Sequence, residues 1–148
     1  MKRYAALLPC LIMMGLIFYF SSRTGDELDS VLPFFQHLFP GMKGFDGGHF
    51  VAYFLLALTY LWSFRTPRPP WVVKAAVVLL CLLYGVTDEF HQMFVPKRSP
   101  DFHDLRNDGI GAALAMLFVS SPPVAKAYAK LHYSSKSQSV KEGFSQRK

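Results

Sequence analysis

Asp88, Glu89, Asp104 and Asp108, together with His49 and Arg98, are the residues of this chain best suited to chemistry. They stand at the ends of apolar segments, where charge is costly. Ionisable groups in or beside membrane spans therefore usually face a bundle interior and mark a working site. Four crowded carboxylates favour keeping a proton on one of them. A histidine beside them exchanges protons with it, which is the equipment of general acid–base catalysis. Asp88, Glu89, His49 and Asp108 are the candidate acid and base groups. Arg98 carries a planar fork suited to a phosphate or a carboxylate. Gln92, Asp104, Tyr53 and Asp46 complete a candidate binding set. The same groups would equally build a binding pocket that catalyses nothing, so the residues name no reaction.

Each residue also has a plainer role. Asp104 and Asp108 suit a helix N-terminus as cap and first-turn acid. Glu89 suits an ion pair with Arg98, Asp46 a turn before Gly47-Gly48, and Tyr53 and Tyr60 ordinary packing. His91 reads as an interfacial histidine ahead of a ligand, and His37, His103 and His132 as solvent or interface residues. Capping and pairing do not require so many ionisable groups to converge, and that favours a site. Histidine and carboxylates suit zinc or manganese. No two histidines, however, stand at the i, i+4 spacing of a helical zinc motif. No metal and no cofactor is assigned on this reading. No serine is singled out by spacing for a nucleophilic triad.

These residues must be positioned by helices in a membrane. The chain has 148 residues, half of them hydrophobic, with 14 Phe and a positive mean hydropathy. A span needs about 20 apolar residues for a ~30 Å hydrocarbon layer. The expected fold is an all-α membrane protein, a four-helix transmembrane bundle with spans at about 4–20, 46–64, 71–95 and 104–121. The fourth apolar block reaches about 27 Å only if its helix begins at Asp104, at ~1.5 Å per residue. With both termini cytoplasmic, 11 basic residues lie inside and 5 outside. The positive-inside rule then gives N-in, C-in topology. Nine of the ten acidic residues fall on the outward side or at outward helix ends. His49, Asp88 to Gln92, Asp104 and Asp108 thereby meet at the outer face. On a helical wheel Asp88, Gln92 and Glu89 share an arc of about 100°. His49, Tyr53, Leu56 and Tyr60 form one stripe and Asp104, Asp108, Gly111 and Ala115 another. Gly111 and Ala115 suit close helix packing, which would bring the fourth span onto the third.

Residues 1–123 form the expected transmembrane domain, and 124–148 a basic cytoplasmic tail. The first apolar run lacks a small-x-small cleavage pattern after Phe20 and reads as a retained span. Cys10 and Cys81 fall in different spans and read as small core residues. The aromatic segment Val31–Phe39 is too short to span and suits an outer interfacial or re-entrant position. Arg65–Pro70 is a tight, proline-rich hairpin connection. Pro122-Pro123 ends or kinks the fourth helix. Val124, Tyr128 and Leu131 then recur at helical spacing beside Lys126 and Lys130, as on a short basic helix at an anionic leaflet. From Ser134 the composition suits disorder. There is no nucleic-acid motif and no phosphate-cradling glycine loop.

Two patterns in the chain resemble the VanZ-like family of small membrane proteins. The first is Asp-x-x-His-Phe-x-x-Tyr, at Asp46, His49, Phe50 and Tyr53. The second runs through Asp88, Glu89, Gln92, Phe94, Pro96, Arg98, Asp104, Asp108 and Gly111. Asp108 stands where the family often has Asn, and Gly47 where it often has a basic residue. The resemblance covers about residues 44–118. It implies an outward-facing multi-pass protein of the bacterial inner or plasma membrane, acting at the cell envelope. The family is named for a teicoplanin-resistance protein of glycopeptide-resistance clusters. The expected partners are membrane lipids and an envelope lipid or lipoglycopeptide ligand, with no nucleic acid. The alternative expectation is a small proton-linked transporter or channel subunit, its carboxylates relaying protons.

Overall fold

The computed structural model describes residues 3–38 and 46–132, and within them every regular element is helical. A 3-10 turn at Arg3–Ala6 leads into α1 (Leu8–Ser21). There follow α2 (Gly25–Leu38), α3 (Asp46–Ser63), α4 (Trp71–Gln92), α5 (Phe102–Ser120) and α6 (Pro122–His132). Pro9 sits in the first turn of α1, where its missing N–H costs nothing. Thr24 and Glu27 start α2 with reciprocal bonds. The Thr24 amide donates to Glu27 Oε2 at 3.1 Å, and the Glu27 amide donates to Thr24 Oγ1 at 3.4 Å. Arg65 closes α3 with a positive φ of 54° and lets the Pro-rich connection turn back into α4.

Tyr4–Ser21 and Trp71–Gln92 are each long and apolar enough to cross a membrane. A third candidate is α5 with α6, which are bent by 83° at Ser121-Pro122. The apolar part of α3, Gly48–Ser63, is shorter. The segment boundaries differ slightly from those read in the sequence. α4 stops at Gln92, not 95, and α5 begins at Phe102 with Asp101 as its N-cap. Asp101 accepts from the His103 amide at 2.8 Å. The cap is therefore Asp101, and Asp104 lies in the first turn.

α3 is the centre of the packing. It contacts α5 most extensively and also α1 and α4, while α5 packs on α4 and α1 on α4. Tyr53, Leu56, Ala57 and Leu61 are fully buried and meet Ile17, Val77, Cys81, Ala112, Ala115, Met116 and Val119. Cys81 belongs to this core, and Cys10 is buried near the start of α1 with its thiol on the Leu7 carbonyl. Leu11, Phe18, Leu79, Leu83, Leu114 and Leu117 lie on outer faces and stay exposed. A chain that buries carboxylates and exposes leucines is organised for a lipid surround. The Tyr84 hydroxyl donates to the Met14 carbonyl at 2.7 Å and so ties α4 to α1.

Gly111 does make a close approach, but to α3. A Cβ there would lie 2.5 Å from the Phe50 carbonyl oxygen. The expectation that it joins the helices now labelled α5 and α4 is corrected. Gly85 of α4 and Gly109 of α5 serve that contact instead, facing Asp108 and Leu82 respectively. The wheel gave the inward stripe of α5 correctly, yet a stripe does not say which neighbour it faces.

α6 begins where the tail was expected, and its described residues fold back on α3. Tyr128 donates to the Leu61 carbonyl at 3.1 Å. His132 is buried against Trp62, with ring centroids 4.4 Å apart, so of the two expected positions, solvent or interface, it does not take the solvent one. Phe39 and the tail beyond His132, for which an interfacial segment and disorder were expected, lie outside the described residues.

Candidate functional site

The ends of four helices meet at one end of the packed helices. Helix direction alternates, so the C-terminal turns of α1 and α4 lie beside the N-terminal turns of α3 and α5. α3 contributes His49 and Tyr53, α4 contributes Asp88, Glu89 and Gln92, and α5 contributes Asp104 and Asp108. This is the convergence expected from the sequence.

His49 is its hub. Its Nδ1 lies 2.9 Å from Asp108 Oδ1, and its Nε2 lies 3.6 Å from Asp104 Oδ2. Asp108 is fully buried, at 0% exposure. The spacing Asp104, Asp108 places both carboxylates on one face of α5, one turn apart, each beside a different nitrogen of the ring. Gly85 makes room for Asp108: a Cβ at position 85 would lie 2.6 Å from Asp108 Oδ2.

α4 supplies the second half. Asp88 and Gln92, one turn apart, are both buried, and Gln92 Nε2 donates to Asp88 Oδ2 at 3.2 Å. Glu89 Oε2 accepts from the Asp101 amide at 2.8 Å. The expected Glu89–Arg98 ion pair is therefore replaced by a bond to the residue that caps α5. Among the described residues Arg98 forms no ion pair; its nearest electrostatic role is on Asp88. Pro96 and the positive φ of Lys97, 60°, turn the connection so that Arg98 follows directly. Lys97 itself pairs with Asp26 of α2, far from Asp88 in sequence and on an exposed surface.

Polar atoms are left without partners here. Tyr53 Oη, Glu89 Oε1 and Asp108 Oδ2 are shielded from water and make no hydrogen bond; Asp88 Oδ1 and Ser21 Oγ are shielded likewise, and the Ser21 hydroxyl faces Asp88 without a well-formed bond. Buried polar groups are nearly always bonded, and an orphan costs about 1–3 kcal/mol. Tyr53 is fully buried, with its ring stacked near His49 at 6.2 Å. Tyr60, on the same stripe, only packs, its hydroxyl on Met14 Sδ at 3.3 Å. One donor atom from each of His49, Asp88 and Glu89 lies within 4.8 Å of the others. A search for histidine pairs on one helix could not find that set, because two helices build it.

Apart from His91, the following residues of this end were not singled out in the sequence. Asp101 links the cap of α5 to Glu89. Ser21 lies beside Asp88 at the end of α1, and Ser22 Oγ lies 3.0 Å from His91 Nε2. His91 also stacks on Phe18 at 4.3 Å, so it holds α1 to α4 and stands apart from the carboxylates. Asn107 is buried beside Asp108. Only the polar pair Ser21-Ser22 after an apolar run hinted at the α1 contribution. Asp46 begins α3, and its side chain lies outside the described residues.

No curated protein and no solved structure matches this chain. A family model described as VanZ/LLP1 matches residues 6–123. The match reaches beyond the two motifs to include α1, whose end borders the buried carboxylates. With its apolar helices, this marks a membrane protein. The chain belongs to the VanZ/LLP1 family.

Proposed function

We propose that the protein crosses the membrane four times, N-in and C-in, and acts at its outer face on an envelope lipid or lipophilic compound. The observation that carries this reading is the set of orphaned, water-shielded polar atoms on Tyr53, Asp88, Glu89 and Asp108 at one end of the helices. A fold stabilised by this cluster alone would satisfy them; a site that meets a polar ligand need not. The 11-to-5 basic asymmetry supports the outward position of that end. α3 serves as a span despite its short apolar part because α1, α4 and α5 shield it from lipid.

Arg98, beside Asp88 and without an ion pair among the described residues, holds the ligand's phosphate or carboxylate. Gln92, Asp104 and Tyr53 shape the polar lining, with Asp46 at its edge. His49 and Asp108 pass a proton between them, and Asp88 and Glu89 supply the further acid and base groups. Glycopeptide resistance is the phenotype the family name brings to this reading. An altered exposure of lipid-linked targets at the outer leaflet would produce it.

Reporter fusions after Gly44 and after Pro100 test the topology; both should be active only outside the cytoplasm. Lipidomics of cells with and without the protein, with teicoplanin susceptibility measured alongside, tests the function. A changed class of envelope lipid supports the reading. Unchanged lipids with proton-coupled uptake in proteoliposomes would reject it for the transporter alternative.

A further inference from the structure

We propose that His49, Asp88 and Glu89 bind one divalent transition-metal ion of the zinc or manganese kind. One donor atom from each lies within 4.8 Å of the others. Donors at ~2.1 Å from one ion sit roughly 3–4 Å apart, so small side-chain movements close the set.

Each of the three has one atom fixed and one left open. His49 Nδ1 is held by Asp108 Oδ1 at 2.9 Å, leaving Nε2. Asp88 Oδ2 is held by Gln92 at 3.2 Å, leaving Oδ1. Glu89 Oε2 is held by the Asp101 amide at 2.8 Å, leaving Oε1. Both open carboxylate oxygens are shielded from water and make no well-formed hydrogen bond, the Ser21 hydroxyl being the polar neighbour of Asp88. Metal ligands are characteristically oriented this way, with histidine donating its other N–H to a carboxylate. With the metal bound, Asp108 is thus a positioning residue for His49, and Asp88 and Glu89 act as ligands in place of the acid and base roles given them above. Asp104 Oδ2, 3.6 Å from His49 Nε2, stands at the distance of a neighbouring donor.

Charge points the same way. Asp88 and Glu89 occupy the last turn of α4, the negative end of its dipole. Among the described residues neither forms an ion pair with lysine or arginine. Asp88, at 3% exposure, is too buried for water to compensate it. A dication bound by both carboxylates removes that penalty; an imidazole nitrogen in the set favours zinc over magnesium or calcium, and the two carboxylates also suit manganese.

The test uses the full chain purified in detergent with a tag free of histidine and stripped with a chelator. ZnCl2 and MnCl2 are titrated separately by calorimetry, with bound metal counted by mass spectrometry. One ion per chain is expected, with Glu89→Gln lowering affinity at least about 100-fold and Asp108→Asn about 10–100-fold. His91→Ala should leave binding unchanged. X-ray absorption on the zinc-loaded wild type should show one imidazole nitrogen among oxygens, a readout that needs no variant to fold. Absence of stoichiometric binding of either metal, an all-oxygen shell, or undiminished binding in Glu89→Gln would overturn the proposal. The readout is metal on purified protein, so its failure is distinct from failure of the lipid reading.

Discussion

A histidine stands at each end of the packed helices, His132 buried and His49 part-buried, and the two are held very differently. His132 rests among the rings of Trp62 and Tyr128, at 4.4 and 4.5 Å. His49 sits between two carboxylates on α5 and beside two more on α4. Among the described residues, the one orphaned side-chain atom near His132 is its own Nε2, whereas around His49 the orphans come from α1, α3, α4 and α5. Burial of a histidine is therefore not what distinguishes a site. The distinction is convergence: ionisable groups from separate helices, each oriented by one bond and left open at another atom.

The same substitution at both ends should break this comparison most visibly. His49→Ala strands Asp108 as a fully buried, uncompensated carboxylate and should cost about 3–5 kcal/mol. His132→Ala removes aromatic contact and should cost about 0.5–1.5 kcal/mol. Thermal melts in one detergent measure both. Equal losses would mean that the carboxylates around His49 are not electrostatically coupled to it.

Glycines give the next effect. Gly111→Ala drives a Cβ into the Phe50 backbone, which cannot move away as a side chain can, and should cost about 1–3 kcal/mol. Gly15→Ala in α1 meets nothing within 4 Å and should be neutral or slightly stabilising. A harmless Gly111→Ala would contradict the α3–α5 contact that sets His49 against Asp108.

Two neighbouring cations sharpen the comparison further. Lys97 pairs with Asp26 on an exposed surface, and Lys97→Ala should cost less than about 1 kcal/mol with function kept. Arg98→Lys should leave the folded protein at normal abundance yet sharply lower its effect on cells, because lysine lacks the fork. Retained function in Arg98→Lys would reduce Arg98 to a local counter-charge for Asp88.

Much of this end was legible in the sequence because spacing fixes depth and facing. Asp88/Gln92 and Asp104/Asp108 are one-turn pairs, and the structure buries Asp88, Gln92 and Asp108. His49 heads its stripe as expected, with Tyr53 and Leu56 fully buried below it. What spacing cannot supply is the identity of the partner helix. Gly111 was assigned to the wrong neighbour for that reason, and Glu89 to the wrong partner. Arg98 is an opposite charge close by in sequence, but the Asp101 amide competes for Glu89 through the geometry of the turn. The fold-back of α6 was hidden by composition: its lysines suggested a lipid surface, while Tyr128 and His132 make the contacts that hold it to α3.

The central claim is that the buried carboxylates work rather than merely brace the helices. Glu89 tests it most directly, since its Oε2 bond to the Asp101 amide can be kept by the carbonyl oxygen of glutamine. Lipidomics should compare cells lacking the protein with cells making equal amounts of wild type or Glu89→Gln. The account predicts that Glu89→Gln cells carry the lipid profile of cells without the protein. A wild-type profile in Glu89→Gln cells would contradict it and leave the cluster a structural joint between α4 and α5.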